Sequence, residues 1–116
     1  MTKKRIAELY RFLSTASMKR MTDEEKVAFI RLLRKMKPVA TEIQTAVNDA
    51  LEKARESCDN EQDVLALVNK SVDDLAIESC DITVKAMTEE SFNRLCLSND
   101  WTFAQIDELE SELVSS

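Results

Sequence analysis

A chain of 116 residues with a formal net charge of -6 is long enough for one domain with a modest core and too short for two independent ones. Its 44% hydrophobic and 33% charged residues, with no Gly and one Pro, point to a mostly helical protein rather than disorder or a sheet-rich fold. Without Gly neither a Walker loop nor a dinucleotide fingerprint can be written, and without His the commonest general base and metal ligand are missing, which argues against most familiar enzyme sites.

The charge is divided along the chain. Residues 1–37 hold 11 Lys/Arg against 4 Asp/Glu, or +7, whereas residues 38–116 hold 5 against 18, or -13. Such asymmetry can steer the basic end to nucleic acid, an acidic partner or an anionic surface. It can also be neutralised internally, or satisfied head to tail between copies to give a ring or filament. Cys58, Cys80 and Cys96 are separated by 22 and 16 residues, with no close pair. This is neither a zinc pattern nor a disulfide framework, and it reads as buried thiols in a reducing compartment. Lys3, Lys4 and Arg5 are followed by no apolar run, so neither a signal peptide nor a membrane span is expected.

Lys3–Leu13 forms a first amphipathic helix with Ile6, Leu9, Tyr10 and Leu13 on one stripe. That spacing suits docking on a neighbouring helix better than the alternative, a basic helix with Tyr10 and Phe12 on a membrane surface. Residues 14–21 are a connector whose Lys19 and Arg20, with Arg31, Arg34, Lys35 and Lys37 beyond, make a basic patch.

Thr22 to Cys58 is one long helix on which the rest depends. Thr22 is the expected N-cap, Glu25 closes a capping box, and Asp23 and Glu24 suit the positive end of the helix dipole. Apolar or small residues recur at Phe29, Leu33, Met36, Ala40, Ile43, Val47, Ala50 and Ala54, a seam of period 3.5. Pro38 removes a donor and crowds the carbonyl of Arg34, but the seam continues in phase across it, which predicts a kink rather than two helices meeting near Lys37. These 37 residues span about 55 Å, against about 30 Å for a compact domain of this chain length. Part of the seam should therefore be covered either by the other helices folding back or by a partner chain.

Asp59, Asn60 and Glu61 start a third helix running to about Glu78, with Val64, Leu65, Val68, Val72, Leu75 and Ala76 on its stripe; a short connection makes it antiparallel to the long helix. Cys80, Ile82 and Val84 then alternate with Asp81, Thr83 and Lys85, the period of an extended segment. This arm at 80–86 is either solvated or pairs with a copy or partner by edge addition. The remainder, 87–116, is a helical hairpin. Thr88 caps its first helix with Met87 and Phe92 as a staple, and Asn99 is a left-handed stop. Thr102 with Gln105 caps the second, stapled by Trp101 and Ile106. A DNA-binding helix-turn-helix is rejected, because the second helix carries Asp107, Glu108, Glu110 and Glu112 and no Lys or Arg.

Taken together, the residues predict an all-α antiparallel bundle around one long kinked helix, with an extended arm and a C-terminal hairpin, as a single domain with a core at 1–79. Carboxylate pairs such as Asp73 with Asp74 and Glu89 with Glu90 are ordinary solvated faces, so no catalytic, cofactor or metal residues are expected. Contact residues are expected at Phe29, Leu33, Met36, Ile43, Val47, Ile82, Val84 and Trp101, with Arg31, Arg34, Lys35 and Lys37 as the basic patch.

The run Met87-Thr-Glu-Glu-Ser-Phe92, then Leu95, Ser98-Asn-Asp-Trp-Thr102 and Gln105-Ile106, resembles the ending of small, uncharacterised helical proteins of phages and prophages of gut Bacteroidales. The segment from Met21 to Ala54, with Lys37-Pro38-Val-Ala40, is similar to their long helix. The resemblance covers most of the chain, rests on packing and capping residues, and transfers no site. It implies a virion or virion-assembly component such as an auxiliary capsid, connector or tail protein, found in the virion or host cytoplasm. With the residues above, the expected function is a non-catalytic structural or assembly protein acting through protein contacts in several copies. The alternative is a small regulatory or nucleic-acid-associated protein using the basic N-terminal third.

Overall fold

A computed structural model describes residues 1–80 and 82–115. It is an all-α antiparallel bundle of five helices: α1 (Lys3–Leu13), α2 (Asp23–Ser57), α3 (Glu61–Ala76), α4 (Glu89–Leu97) and α5 (Phe103–Leu113). The chain packs as two compact units, one of Met1–Arg11 with Lys37–Asp81, the other of Phe12–Met36 with Ile82–Ser116. This partition differs from a chain-order division at residues 79 and 86. Its cause is the length of α2, whose 35 residues exceed what one compact unit can cover and so serve both.

The start of α2 is built as its sequence dictates. The Glu25 backbone N–H donates to Thr22 Oγ1 at 3.2 Å, and the Thr22 N–H donates to Glu25 Oε1 at 2.9 Å. The helix continues through Pro38 without a break, and Pro38 is exposed, where its missing donor costs least. The buried positions are Phe29, Leu32, Met36, Val39 and Ala54. Leu33 and Ala40 are only half-buried, so the seam runs one residue earlier at two of its steps.

In the first unit, Asn60 caps α3 by accepting from the Gln62 N–H at 2.8 Å. The short turn then returns α3 along the second half of α2. Val64, Val68 and Val72 bury against Ala54, with Ala46, Val47, Ala50, Leu51 and Cys58 packed around them. The α1 helix is tied to both neighbours by Lys3, whose Nζ reaches Glu42 at 3.0 Å and Glu78 at 2.8 Å. These hydrogen bonds, Glu78 first, raise the Lys3 pKa. Leu65 lies outside the core, 51% exposed, although it was expected on the α3 stripe.

In the second unit, Thr88 caps α4 through the Ser91 N–H at 3.1 Å, and Thr102 with Gln105 forms a complete capping box on α5. Phe92, Leu95, Leu109 and Leu113 are buried. Asn99 is not left-handed, since no residue of the described chain has positive φ. Its side chain is used instead. Oδ1 accepts from the Ser17 N–H at 2.8 Å, while Nδ2 donates to the carbonyls of Ser17 at 2.9 Å and Leu95 at 2.8 Å. Ser98 Oγ adds a bond from the Arg20 N–H at 2.8 Å. The hairpin turn thus fastens the connector 14–21.

Glu25 also accepts from Arg94 Nη1. The Thr22 backbone N–H, followed by Arg94, holds its carboxyl below the usual carboxylate range against the opposing effect of burial. A depressed carboxylate contributes stability that is present above the unfolded pKa and lost as pH falls through the folded one. Wild type should therefore be more stable than Glu25→Gln near neutrality, and the gap in melting temperature should close as pH is lowered below 4.5. Thermal scans of both proteins from pH 7 to pH 3 read this directly.

Candidate functional site

Among the described residues no three His, Cys, Asp or Glu side chains cluster as metal ligands, and the three cysteines are free and half-buried. Burial, aided by Glu110, pushes the Cys96 thiol up, away from nucleophilic character. One apolar recess of about 350 Å³ opens between the first turns of α2 and the start of α4, over Phe29, Leu32 and Met87. At its rim Glu25 is engaged with Thr22 and Arg94 and the Ser91 N–H with Thr88, while Glu24 is exposed.

The expected contact residues divide into two groups. Phe29, Met36 and Val84 are buried, Val84 at 4% exposure, and they cannot meet a partner without unfolding. Leu33, Ile43, Val47, Ile82 and Trp101 are half-buried. Val47 packs on the α2–α3 core, and Trp101 stacks on Phe12 with ring centroids 5.3 Å apart. The flanks of the arm carry backbone bonds within the chain. At one end the Cys80 N–H donates to Met1 O at 2.9 Å and the Lys3 N–H to Glu78 O at 2.9 Å. At the other, the Met87 N–H donates to Leu113 O at 3.0 Å and the Ser115 N–H to Met87 O at 2.9 Å. Cys80 and Met87, on either side of residues 82–86, therefore find backbone partners within the chain. Asp81 lies outside the described residues.

The basic patch is different. Arg31, Arg34, Lys35 and Lys37 are all exposed, and none has an ion-pair partner among the described residues. At this cluster no ion pair among the described residues neutralises the charge. Val27, Ile30, Arg31 and Arg34 recur at i, i+3, i+4 and i+7, the face of α2 opposite Phe29, Leu32 and Met36. Val27 is 48% and Ile30 37% exposed, and a shallow depression beside them is lined by Asp23, Glu24, Val27, Ala28 and Arg31.

A second apolar exposure lies at the turn between α4 and α5, where Leu97 is 73% and Phe103 85% exposed. Sequence periodicity passes over all four of these residues because it selects the stripe that is buried. The signal that finds them is what lies off that stripe: Val27 and Ile30 flank Phe29 out of phase, and Phe103 directly follows the cap Thr102. No protein-family model, curated protein or solved structure matches the chain. No helix among the described residues is long and apolar enough to cross a membrane.

Proposed function

We propose that this chain is a non-catalytic structural or assembly protein that acts through protein contacts in several copies. The observation that carries this reading is the pair of large apolar side chains, Leu97 and Phe103, held out on a capped helical hairpin rather than on a loose segment. Apolar surface presented by ordered helices gains free energy when another protein covers it. The resemblance of residues 87–106 supports a phage particle as the setting, with the chain serving as an auxiliary capsid, connector or tail protein in the virion or host cytoplasm. Light scattering across concentration, at low and high salt, tests the multi-copy reading. A discrete oligomer is expected, and a mass of 13.2 kDa under every condition would remove it.

A second reading has its own support. Four exposed cations within seven residues of one helix, without ion-pair partners among the described residues, suit phosphate contacts, so a nucleic-acid-associated role is the alternative. It predicts salt-dependent binding to DNA or RNA that weakens when Arg34, Lys35 and Lys37 are replaced by Ala. Absence of binding at low salt would dismiss it.

A further inference from the structure

Two exposed stripes of this molecule carry the same spacing with opposite charge. On α2, Val27 is followed at i+4 and i+7 by Arg31 and Arg34. On α5, Phe103 is followed at i+4 and i+7 by Asp107 and Glu110. All six side chains are exposed, and none of the four charged groups has an ion-pair partner among the described residues. Seven residues of helix rise about 10 Å, so both stripes place an apolar anchor and two charges along the same length. We propose that the outward stripe of α2 docks on the α5 stripe of a second copy of this chain, the two helices running parallel.

In that alignment Phe103 meets Val27 and Ile30, while Arg31 and Arg34 face Asp107 and Glu110. Leu97, beside the same turn, extends the apolar side of the contact. The chemistry favours this occupant over nucleic acid. Asp23 and Glu24 line the depression next to Val27 and Arg31 and would repel phosphate, and half-exposed Val and Ile gain nothing from a sugar-phosphate backbone. The α5 helix has four carboxylates and no Lys or Arg, which supplies the complementary field. Each copy carries both halves of the contact, so the pairing can close into a ring or dimer or propagate.

The inference rests on the multi-copy reading above, and a charge swap separates the two. One variant carries Arg31→Glu and Arg34→Glu, the other Asp107→Arg and Glu110→Arg, and folding of each is checked by circular dichroism. Sedimentation equilibrium is run on wild type, on each variant alone and on their equimolar mixture. Wild type is expected to associate, each variant alone to associate at least about tenfold more weakly, and the mixture to regain association because the reversed stripes again match. Phe103→Ser, a change at an exposed side chain, should weaken self-association in the same direction without loss of fold. An oligomer that survives in both charge variants and in Phe103→Ser overturns this contact and leaves the multi-copy reading standing. A wild type that stays monomeric at its highest attainable concentration removes the multi-copy reading and the contact together. Binding of a DNA duplex that is lost in the arginine variant, with no change in mass for any protein, also overturns the contact and favours the nucleic-acid alternative.

Discussion

Replacing Phe92 with Ala is expected to cost about 3 to 5 kcal/mol, the largest effect of any single truncation in this chain. Phe92 is the largest of the fully buried side chains, at 1% exposure. It begins the buried stripe of α4 that Leu95 continues, and the short α4 and α5 helices have little stability of their own without tertiary packing. Truncation removes the ring's transfer free energy and leaves a cavity that the surrounding structure could fill only in part. A domain of this size has about 5 to 15 kcal/mol in total, so the variant should show a clear loss in denaturant midpoint. Urea titration followed by circular dichroism reads it, with Phe92→Leu as the milder comparison. A loss below about 1 kcal/mol in Phe92→Ala would show that the site is less tightly packed than its burial indicates.

Asn99→Ala should cost about 2 to 3 kcal/mol, more than a half-buried polar position usually does. Three hydrogen bonds vanish at once, two of them the reciprocal pair with the Ser17 backbone and the third to the carbonyl of Leu95. Each is worth about 1 kcal/mol net, and the Ser17 N–H and C=O are left to find water in a partly covered place. Asn99→Asp separates geometry from charge. It can still accept from the Ser17 N–H but cannot donate to either carbonyl, so its loss should fall between those of wild type and Asn99→Ala. Hydrogen exchange would localise the effect, since the amides of residues 14–21 should lose protection while those of α3 keep theirs.

Much of this fold is legible in the sequence, for reasons that are local. Thr22 with Glu25, Asn60, Thr88, and Thr102 with Gln105 each mark a helix start that is built as the residues require, because a cap needs only its own first turn. The length of α2 across Pro38 follows from an apolar repeat that resumes beyond it, although the buried position there is Val39 rather than Ala40. The alternation of Ile82 and Val84 with Thr83 and Lys85 is matched by their alternating burial. Long-range choices are not legible in the same way. Leu32 and Leu33, like Val39 and Ala40, each fit a seam of period 3.5, and only the placement of the opposing elements selects Leu32 and Val39. Asn99 satisfies the pattern of a left-handed stop, yet its amide is matched by Ser17, a residue 82 positions away. The candidate surface was half legible. The cations at Arg31, Arg34, Lys35 and Lys37 could be counted, but that they have no ion-pair partner among the described residues depends on where the carboxylates come to rest.

The backbone bridges at the ends of the arm have a consequence for where the chain can be altered. Met1 and Lys3 bond to Cys80 and Glu78, and Leu113 and Ser115 bond to the two sides of Met87. Met1, Lys3, Leu113 and Ser115 thus act as clasps on the two flanks of the connection from α3 to α4. Trimming either terminus by three residues would be felt in the middle of the sequence, as loosening around residue 80 or residue 87 rather than as fraying at the cut end. A fusion tag joined without a spacer would strain the same clasps, whereas the exposed turn at Asp59 leaves both of them untouched.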